Sequence, residues 1–530
     1  MSYYNESIQS LPGLERLSCT QTSCMQCSQS FKLACLTSLV AHIFVATVNG
    51  GPIHPDEFFQ TFQFAFHRLG IGGPASIPWE FTAGARSWLL PGIIALIAKL
   101  IGSNDRGSLF LIVDTTRYLL AVLGWGALVS FAATFRHLFL TRWLRIGFDW
   151  AILLFPLSLH AHARTSGENL SGSCLLVGLT LLEQLRKSHE DLSIDPRGVW
   201  THFFFVGLVS GLMFSFRYQT IVVLPIILTY PLWWAWRARN PLGISALLAG
   251  FALSIASEMM LNEWGYRKWS FPPWTYFHEN VLLGKAATFG ISPWYTYATD
   301  FLSLDNFYAM SLILALAGIG AAFSWQLAPA QTFAAFVFMH CLIGHKELRF
   351  MFPVIPLIPL LGCLSVQKLA RYCLRIAHIV SPRLWEAPAA MAATLLLLSC
   401  WPVALRGGHE FFNVAHVLSV EAKPHETLVI ESPACGNPYD VWNWRMTALM
   451  PPQLHVASLN GNAPDWEPQG KAFWRLTPNR TVAVQSIVRP GERNLLCMPM
   501  FSKLEQNLNL IKLQTCQLQR CSVVASIPHG

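Results

Sequence analysis

The chain has 530 residues, of which 53% are hydrophobic, 13% aromatic and 12% charged. Soluble domains carry about 25% charged residues, so this composition excludes an ordinary soluble protein, and its hydrophobicity excludes intrinsic disorder. The net charge is +8 at pH 7. In a membrane protein such an excess lies mainly in cytoplasmic loops, so it does not predict nucleic-acid binding.

Apolar blocks that are long enough to cross a bilayer recur along the chain. A span needs about 20 largely apolar residues, and about eleven blocks meet or approach that length. The sequence therefore predicts an all-α polytopic membrane domain over 31–405, behind a cytoplasmic tail at 1–30. The predicted spans are 31–49, 107–131, 146–161, 170–185, 200–215, 218–236, 241–261, 305–323, 329–343, 350–366 and 386–405.

Basic residues mark one set of the loops between these blocks, for example Arg136, Arg186, Arg237 and Arg371. Loops rich in lysine and arginine face the cytoplasm, which places the other connections on the lumenal or periplasmic side. Those connections are the loops 50–106, 162–169, 262–304 and 344–349 and the tail 406–530.

The first extracytoplasmic loop carries two adjacent carboxylates, in the run His54-Pro55-Asp56-Glu57-Phe58-Phe59-Gln60. Proline suits the first turn of a helix, whose positive end stabilises Asp56 and Glu57. The pair can serve an enzyme that meets a lipid-linked substrate at the membrane surface, or it can simply cap the helix. The helix presents an apolar face that we expect to lie in the membrane interface. This face consists of Phe58, Phe59, Phe62 and Phe66.

A second charged cluster, Gly344-His345-Lys346-Glu347-Leu348-Arg349-Phe350, lies on the same side between two apolar blocks. Ionisable residues next to membrane spans are costly and usually functional. Lys346 and Arg349 share a face if the segment is helical, and that face can hold a phosphate. The alternative is an ordinary charged loop end. A weaker feature is another lumenal turn, which carries His162, Arg164, Glu168 and Asn169.

The tail 406–530 is predicted to form a small mixed or β-rich domain outside the membrane. Thr427–Glu431 and Thr481–Ile487 have the composition of strands. Four cysteines in an oxidising compartment can form two disulfides, and the sequence leaves their pairing open. These cysteines are Cys435, Cys497, Cys516 and Cys521.

Together the two charged motifs resemble those of glycosyltransferase family 22, the mannosyltransferases that use lipid-phosphate sugars. Pro78-Trp79-Glu80-Phe81 with Arg86-Ser87 resembles the family's stretch after the first motif. The runs 290–297 and 350–356 are most similar to the enzyme that adds the third mannose of the glycosylphosphatidylinositol (GPI) anchor. Other features resemble the fourth-mannose enzyme and the dolichol-pathway α-1,2-mannosyltransferases. Asn262 departs from the family, which has an acidic residue there.

This resemblance implies the multi-span GT-C fold, a polyprenyl (dolichyl) phosphate mannose donor and a lipid-linked mannosyl glycan acceptor. The inverting transfer needs a base, for which Asp56 is the candidate. Glu57 is the alternative base, or a partner that orients Asp56 or binds sugar. His345, Lys346 and Arg349 are candidates to bind the donor phosphate. Candidates to bind the rest of the substrates are His54, Gln60, Trp79, Glu80, Arg86, Arg217 and Trp294.

No cofactor is predicted. Asp56 and Glu57 could ligate a divalent metal, but the sequence contains no metal-ligand cluster. A eukaryotic cell would place such a protein in the endoplasmic reticulum membrane, and a bacterium would place it in the inner membrane. The alternatives are a mannosyltransferase of another lipid-linked oligosaccharide or bacterial glycan, and a lipid or sugar transporter or flippase. The enzyme is favoured because the charged motifs lie at the ends of spans on one face of the membrane. Many transporters instead carry charge in the middle of their spans and consist of two inverted repeats, and the sequence shows no sign of such repeats.

Overall fold

The structure is a computed structural model in which most of the membrane region and parts of the C-terminal region are described. The described residues are 21–71, 77–102, 106–190, 196–376, 383–405, 412–423, 426–430, 440–441, 444–446, 449–450, 454–458, 472–478, 494–499 and 516–524. Predicted features outside them include Cys19, Cys435 and the predicted strand at 481–487.

Helices dominate the described chain up to residue 421. In the first part they are α1 Gln21–Val48, α2 Gln63–Leu69, α3 Trp79–Ala83, α4 Leu89–Ile101, α5 Arg106–Phe135, α6 Arg142–Leu153, α7 Pro156–His162, α8 Gly167–Glu190 and α9 Pro196–Phe216. In the second part they are α10 Leu224–Arg237, α11 Pro241–Tyr266, α12 Pro272–Phe277, α13 Thr296–Leu302, α14 Phe307–Phe323, α15 Ala328–Leu342, α16 Ile358–Ile376, α17 Arg383–Leu398, α18 Trp401–Ala404 and α19 Phe412–Glu421.

Asparagine side chains cap the N-termini of two of these helices. The side chain of Asn240 accepts a hydrogen bond from the backbone N–H of Gly243 at 2.9 Å, and Pro241 occupies the first turn of α11. Asn306 caps α14 in the same way. Both are preferred helix N-caps because their side-chain oxygens satisfy backbone donors that have no partner within the helix.

The chain is a multi-pass membrane protein. Six helices in the described part are long and apolar enough to cross a membrane, and four shorter apolar helices accompany them. Every predicted span overlaps a helix, so the all-α membrane region is confirmed, while the count of about eleven spans stays a prediction. The sequence analysis missed α4, which is an apolar helix inside the predicted loop 50–106.

The loops that were predicted to share one side of the membrane meet at one end of the helices. A salt bridge between Arg349 and Asp56 joins the fourth of these loops to the first. A hydrogen bond from Lys346 to the carbonyl of Ser292 joins the fourth to the third. The grouping of the loops therefore agrees with the prediction, and their orientation across the membrane stays a prediction.

Helices α9 and α11 make a close backbone contact. A Cβ atom on Gly207 would lie 1.9 Å from the carbonyl oxygen of Leu247, and one on Gly250 would lie 2.1 Å from that of Phe204. The hydroxyl of Ser254 donates across the same contact to a carbonyl of α9 at 2.5 Å. Small residues let two membrane helices approach this closely, and packing then holds them together.

The described part of the C-terminal region combines α19 with short strands. These are β1 Thr427–Ile430, β2 Asp440–Val441, β3 Trp444–Arg445, β4 His455–Ser458, β5 Ala472–Pro478, β6 Asn494–Pro499 and β7 Cys516–Val524. Five of them form one sheet in the order β4-β1-β5-β7-β6, with β1 parallel to β4 and β5. The antiparallel register places Cys497 opposite Cys521, and the disulfide pairing stays open.

Helix α19 attaches this region to the membrane helices. Phe412 and His416 on α19 both contact Phe110 of α5, with ring centroids 5.2 and 4.5 Å apart. Within the region, the buried indole of Trp474 donates to the carboxylate of Glu426 at 2.7 Å. The predicted strand at 427–431 is present as β1, and the domain boundary at 406 stays a prediction.

We predict that Gly250→Ala destabilises the protein by about 1–3 kcal/mol, because the added methyl group overpacks the contact between α9 and α11. The loss should appear as a lower unfolding temperature of the purified protein in detergent. Gly318→Ala on α14 is the matched control, since a Cβ there meets nothing within 4 Å. Equal unfolding temperatures for Gly250→Ala and the wild type would contradict the close packing.

Candidate active site

The two adjacent carboxylates lie at the start of a helical segment, as predicted. The backbone N–H groups of Phe58 and Phe59 both donate to the carbonyl of Pro55, at 3.0 and 2.9 Å. A π-helical turn over Phe58–Phe62 then leads into α2. Proline starts the segment without losing a needed donor, because the first N–H groups of a helix have no partner within it.

The side chains of Asp56 and Glu57 point to different sides of this turn. Asp56 lines an open cleft of about 460 Å³. Glu57 is only 4% exposed and lines a separate, narrow cavity behind the turn. Neighbouring residues on a helical turn point about 100° apart, so one of the pair can reach the cleft while the other is buried.

Arg349 connects three carboxylates that come from three segments of the chain. It lies on a 3₁₀ turn over Leu348–Met351. Its Nη2 atom is 2.6 Å from Oδ2 of Asp56, its Nη1 atom is 3.6 Å from Oε1 of Glu168, and its Nε atom donates to Glu347. The guanidinium is 11% exposed, so these contacts are only partly screened by water.

This arrangement changes the basicity of Asp56. Burial by itself raises the pKa of the Asp56 carboxyl, but the positive charges of Arg349, Arg86 and His54, with the hydrogen bond from Arg349, together outweigh it. The pKa of Asp56 is therefore held well below its ordinary value. Glu347 follows the same pattern: burial raises its pKa, but Arg349, together with the contacts from His54 and His345, lowers it to about 2.

Two further arginines line the same cleft. Nη2 of Arg217 is 3.2 Å from Oε1 of Glu168, and Nη2 of Arg86 is 3.5 Å from Oε1 of Glu80. The Nε atoms of both arginines are buried without a hydrogen-bond partner. Together with Arg349, these residues direct three guanidinium groups toward one space. Guanidinium groups suit phosphate because they offer two parallel donors.

The structure brings some of the predicted site residues into the cleft and leaves others outside it. Asp56, Gln60, Arg86, Arg217 and Arg349 line the cleft. Glu80 lies just behind them, where it accepts a hydrogen bond from Nε2 of Gln60 at 2.8 Å. His54 lies beside the cleft, with its Nδ1 atom 3.6 Å from Asp56 and its Nε2 atom 3.4 Å from Glu347.

His345 and Lys346 do not reach the cleft. The Nζ atom of Lys346 donates to the carbonyl of Ser292 at 3.1 Å and to that of Ile343. Nε2 of His345 contacts the carboxylate of Glu347 at 2.9 Å. Glu347 has an extended backbone, with φ −138° and ψ 135°, so the shared helical face that was expected for Lys346 and Arg349 does not form.

The aromatic candidates are also outside the cleft. Trp294 is 70% exposed. Trp79 is half-buried, and the Nζ atom of Lys285 lies 3.5 Å from its ring centroid. Neither residue lines the cleft. Their predicted roles in substrate binding therefore have no support from the geometry.

The expectation for the phenylalanine face of the first motif was wrong. These side chains are buried in a protein core, with exposures of 1, 2, 1 and 0% for Phe58, Phe59, Phe62 and Phe66. They pack with apolar residues of α4, α5 and α19. The partner was not expected because α4 lies within the segment 50–106, which the sequence predicts to be a loop. The face anchors the turn that carries Asp56 to the rest of the protein.

Glu168 is a site residue that the sequence analysis did not select. It is 2% exposed, lines the cleft and contacts both Arg217 and Arg349. The available signal was weak: Glu168 is one of several polar residues in a short turn between two apolar blocks. Only its two partners, which lie far away in the sequence, mark it as part of the site.

The described residues contain no group of three or more histidine, cysteine, aspartate or glutamate side chains placed to hold a metal ion. The cleft instead combines two carboxylates, Asp56 and the more deeply buried Glu168, with three arginines. Such a site can accept a proton at Asp56 while its arginines stabilise negative charge that develops nearby.

The sequence model of the Alg9-like mannosyltransferase family matches residues 33–426. GPI mannosyltransferase 3 of Schizosaccharomyces pombe is 24% identical over 335 residues, which cover 57% of this chain and 62% of that protein. GPI alpha-1,2-mannosyltransferase 3 of Danio rerio is 23% identical over 380 residues, 69% of this chain. The chain spans 62% of the length of both curated relatives.

A solved structure with a similar arrangement is that of ArnT from Cupriavidus metallidurans bound to undecaprenyl phosphate. The similarity has a TM-score of 0.47 at 11% sequence identity. It covers 92% of this chain and 97% of ArnT.

We predict that Glu168→Gln destabilises the protein by about 3 kcal/mol, because it leaves the buried Arg217 without its carboxylate partner. The measurement is the unfolding temperature of the purified protein in detergent. Glu263→Gln is the matched control, since Glu263 is an exposed carboxylate on α11. If both variants unfold at the wild-type temperature, the ion pair between Glu168 and Arg217 does not support the site.

Proposed function

The chain belongs to the Alg9-like mannosyltransferase family, and we propose that it transfers mannose from polyprenyl (dolichyl) phosphate mannose to a lipid-linked glycan. The observation that carries this proposal is the single cleft in which Asp56 lies beside Arg86, Arg217 and Arg349. Transfer from a phosphate-linked sugar needs a base for the acceptor and positive charge for the departing phosphate. The cleft provides both.

The reaction we propose is a one-step displacement at C1 of mannose. Asp56 removes the proton from an acceptor hydroxyl as that oxygen bonds to C1. The bond between C1 and the phosphate oxygen breaks, and both of its electrons go to the polyprenyl phosphate. A phosphate leaves without needing a proton, so no second acid is required. Attack opposite the leaving group converts the β-linked donor sugar into an α-mannoside.

The arginines have the role of stabilising the departing phosphate. Arg349 and Arg217 already share Glu168, so each holds a carboxylate that a bound phosphate can partly replace. Arg86 also lines the cleft, and its guanidinium lies 5.2 Å from the ring centroid of Tyr276. Fixed cations that point to where charge develops can contribute several kcal/mol to catalysis.

The contact between Asp56 and Arg349 has a consequence for the order of events. In the structure described here, Arg349 lowers the pKa of Asp56 and so makes it a weak base. A donor phosphate that binds Arg349 draws that charge away from Asp56. The pKa of Asp56 then rises toward a value suited to general-base catalysis. We propose that donor binding in this way activates the base before the acceptor reacts.

The proposed acceptor is a GPI precursor, and the proposed linkage is α-1,2. The names of the relatives from Schizosaccharomyces pombe and Danio rerio support the GPI acceptor, and the name of the Danio rerio relative supports the α-1,2 linkage. In a eukaryotic cell, the protein would act in the endoplasmic reticulum membrane. Another lipid-linked mannosyl glycan is the alternative acceptor.

We predict that Asp56→Asn lowers kcat for mannose transfer by about 10²- to 10⁴-fold, because the acceptor loses its base. The assay uses purified protein, polyprenyl phosphate mannose and a panel of acceptors that includes a dimannosyl GPI precursor. The control is Asp300→Asn, which changes a carboxylate on α13 that does not line the cleft.

Two results of this assay would contradict the proposal. Wild-type transfer rates in a folded Asp56→Asn variant would show that another group is the base. Absence of transfer by the wild type to every mannosyl acceptor would contradict the assigned donor and activity.

The pH dependence of kcat/KM provides a second prediction. The base must be ionised and Arg349 lowers its pKa, so wild-type activity should persist at acid pH and fall only below the ordinary aspartate value of about 3.9. Arg349→Gln removes the main opposing charge while burial remains. The acid limb of that variant should therefore move to higher pH.

Arg217→Gln is the matched comparison for this experiment. It also removes a cleft arginine, but Arg217 contacts Glu168 and not Asp56, so its acid limb should stay near the wild-type position even if the rate falls. An acid limb that does not move in Arg349→Gln would show that Arg349 does not control the ionisation of the base.

A further inference from the structure

We infer that Arg164 is a positioning residue that holds Glu57 on the far side of the helical turn, so that Asp56 faces the cleft. This inference rests on the proposed function, because it assigns a role within the same reaction. It also decides among the three roles that the sequence left open for Glu57, which were a base, a partner that orients Asp56 and a group that binds sugar.

The first observation is the location of the pair. Arg164 is 1% exposed and Glu57 is 4% exposed, and neither lines the cleft. Nη1 of Arg164 lies 3.8 Å from Oε2 of Glu57. A buried carboxylate that leaves its cation becomes an uncompensated buried charge, which costs several kcal/mol. Glu57 is therefore held in place by Arg164 and does not rotate into the cleft.

The second observation is that Arg164 binds the chain before the motif as well as Glu57. Its Nη2 atom donates to the carbonyl of Asn49 at 3.0 Å, and its Nη1 atom donates to the carbonyl of Gly51 at 3.2 Å. Gly51 follows the end of α1 and has a φ of 79°, a value that favours glycine. One guanidinium therefore fixes both the path of the chain into the motif and the motif's second carboxylate.

Neighbouring hydroxyl groups hold the same backbone position. Thr61 and Thr165 donate from Oγ1 to the carbonyl of Glu57, at 2.5 and 3.4 Å. Thr165 follows Arg164 directly, and α8 begins two residues later at Gly167. The turn between α7 and α8 therefore fixes the Glu57 backbone through Thr165 and its side chain through Arg164.

These contacts act on Asp56 through the backbone. Side chains at adjacent positions of a helical turn are separated by about 100°, so fixing the direction of Glu57 also fixes that of Asp56. Reaction rates are sensitive to such placement, and a shift of about 1 Å at a reacting group can cost about 10²-fold. A role of this kind lowers kcat without removing any group that contacts the substrate.

The ionisation of the pair is consistent with this role. Burial raises the pKa of Glu57, and Arg164 opposes that effect. Burial also lowers the pKa of Arg164, to about 10, so the guanidinium remains charged at neutral pH and can bind Glu57. A catalytic base, by contrast, must be within reach of the acceptor proton, and Glu57 lies behind the wall of the cleft.

The test compares mannose transfer by Glu57→Gln, Arg164→Gln, Arg164→Lys and the double variant with that of the wild type. Glu57→Gln and Arg164→Gln should each lower kcat by about tenfold to a hundredfold. KM for the donor should remain within about twofold, because the arginines of the cleft are unchanged. The double variant should be no slower than the slower single variant, since both changes break one contact. Arg164→Lys should recover part of kcat.

Arg117→Gln is the matched control. Arg117 is also buried and also donates to the carbonyl of Asn49, at 3.3 Å, but its carboxylate partner is Asp114 and not Glu57. It should lower the unfolding temperature about as much as Arg164→Gln does, with a smaller loss of kcat. Equal losses of kcat in these two variants at equal stability would overturn the positioning role and leave a structural one.

A different outcome would make Glu57 the base. Glu57→Gln would then abolish transfer as fully as Asp56→Asn, while Arg164→Lys would stay near the wild-type rate. Failure of the proposed function is separate, because the wild type itself would show no transfer.

A structure of Arg164→Gln tests the inference without an assay: Asp56 should leave its 2.6 Å contact with Arg349, and an unchanged contact would overturn the inference. If Arg164→Gln does not fold, Arg164→Lys and Glu57→Gln answer the same question.

Discussion

The guanidinium of Arg349 contacts carboxylates from three segments that lie far apart in the chain: Asp56, Glu168 and Glu347. A buried cation needs such partners, and buried carboxylates need the cation. This one interaction fixes the distance between the first charged motif, at 54–60, and the second, at 344–350. The cleft exists where these segments meet, so its shape depends on the balance of charge around Arg349.

The pairing of charges around Arg349 also lowers the basicity of the cleft. A free cleft in which every carboxylate is paired is stable but contains no strong base, because Arg349 lowers the pKa of Asp56. In the proposed mechanism, an incoming phosphate competes for the same guanidinium and raises the pKa of Asp56 again. The charges that stabilise the cleft are thus the same ones that we propose control the basicity of Asp56. Glu57 stays outside this exchange, because Arg164 holds it behind the cleft.

The sequence predicted most of the helices and both charged motifs, because apolar length and charge spacing are local properties of the chain. It did not predict which of Asp56 and Glu57 faces the cleft, since residues from distant segments decide that direction. Glu168 was named only within a weaker feature and not as a site residue, for the same reason. The extended backbone at Glu347 turned Lys346 away from the cleft, and no pattern in the motif indicated it.

The most direct test of the account is a structure of the protein with polyprenyl phosphate bound, determined in a lipid nanodisc. We expect the phosphate between Arg349 and Arg217, with the contact between Arg349 and Asp56 longer than its present 2.6 Å. A phosphate bound beside Lys346, outside the cleft, would contradict the account. An Asp56 that keeps its full contact with Arg349 while the phosphate is bound would contradict the proposed activation of the base.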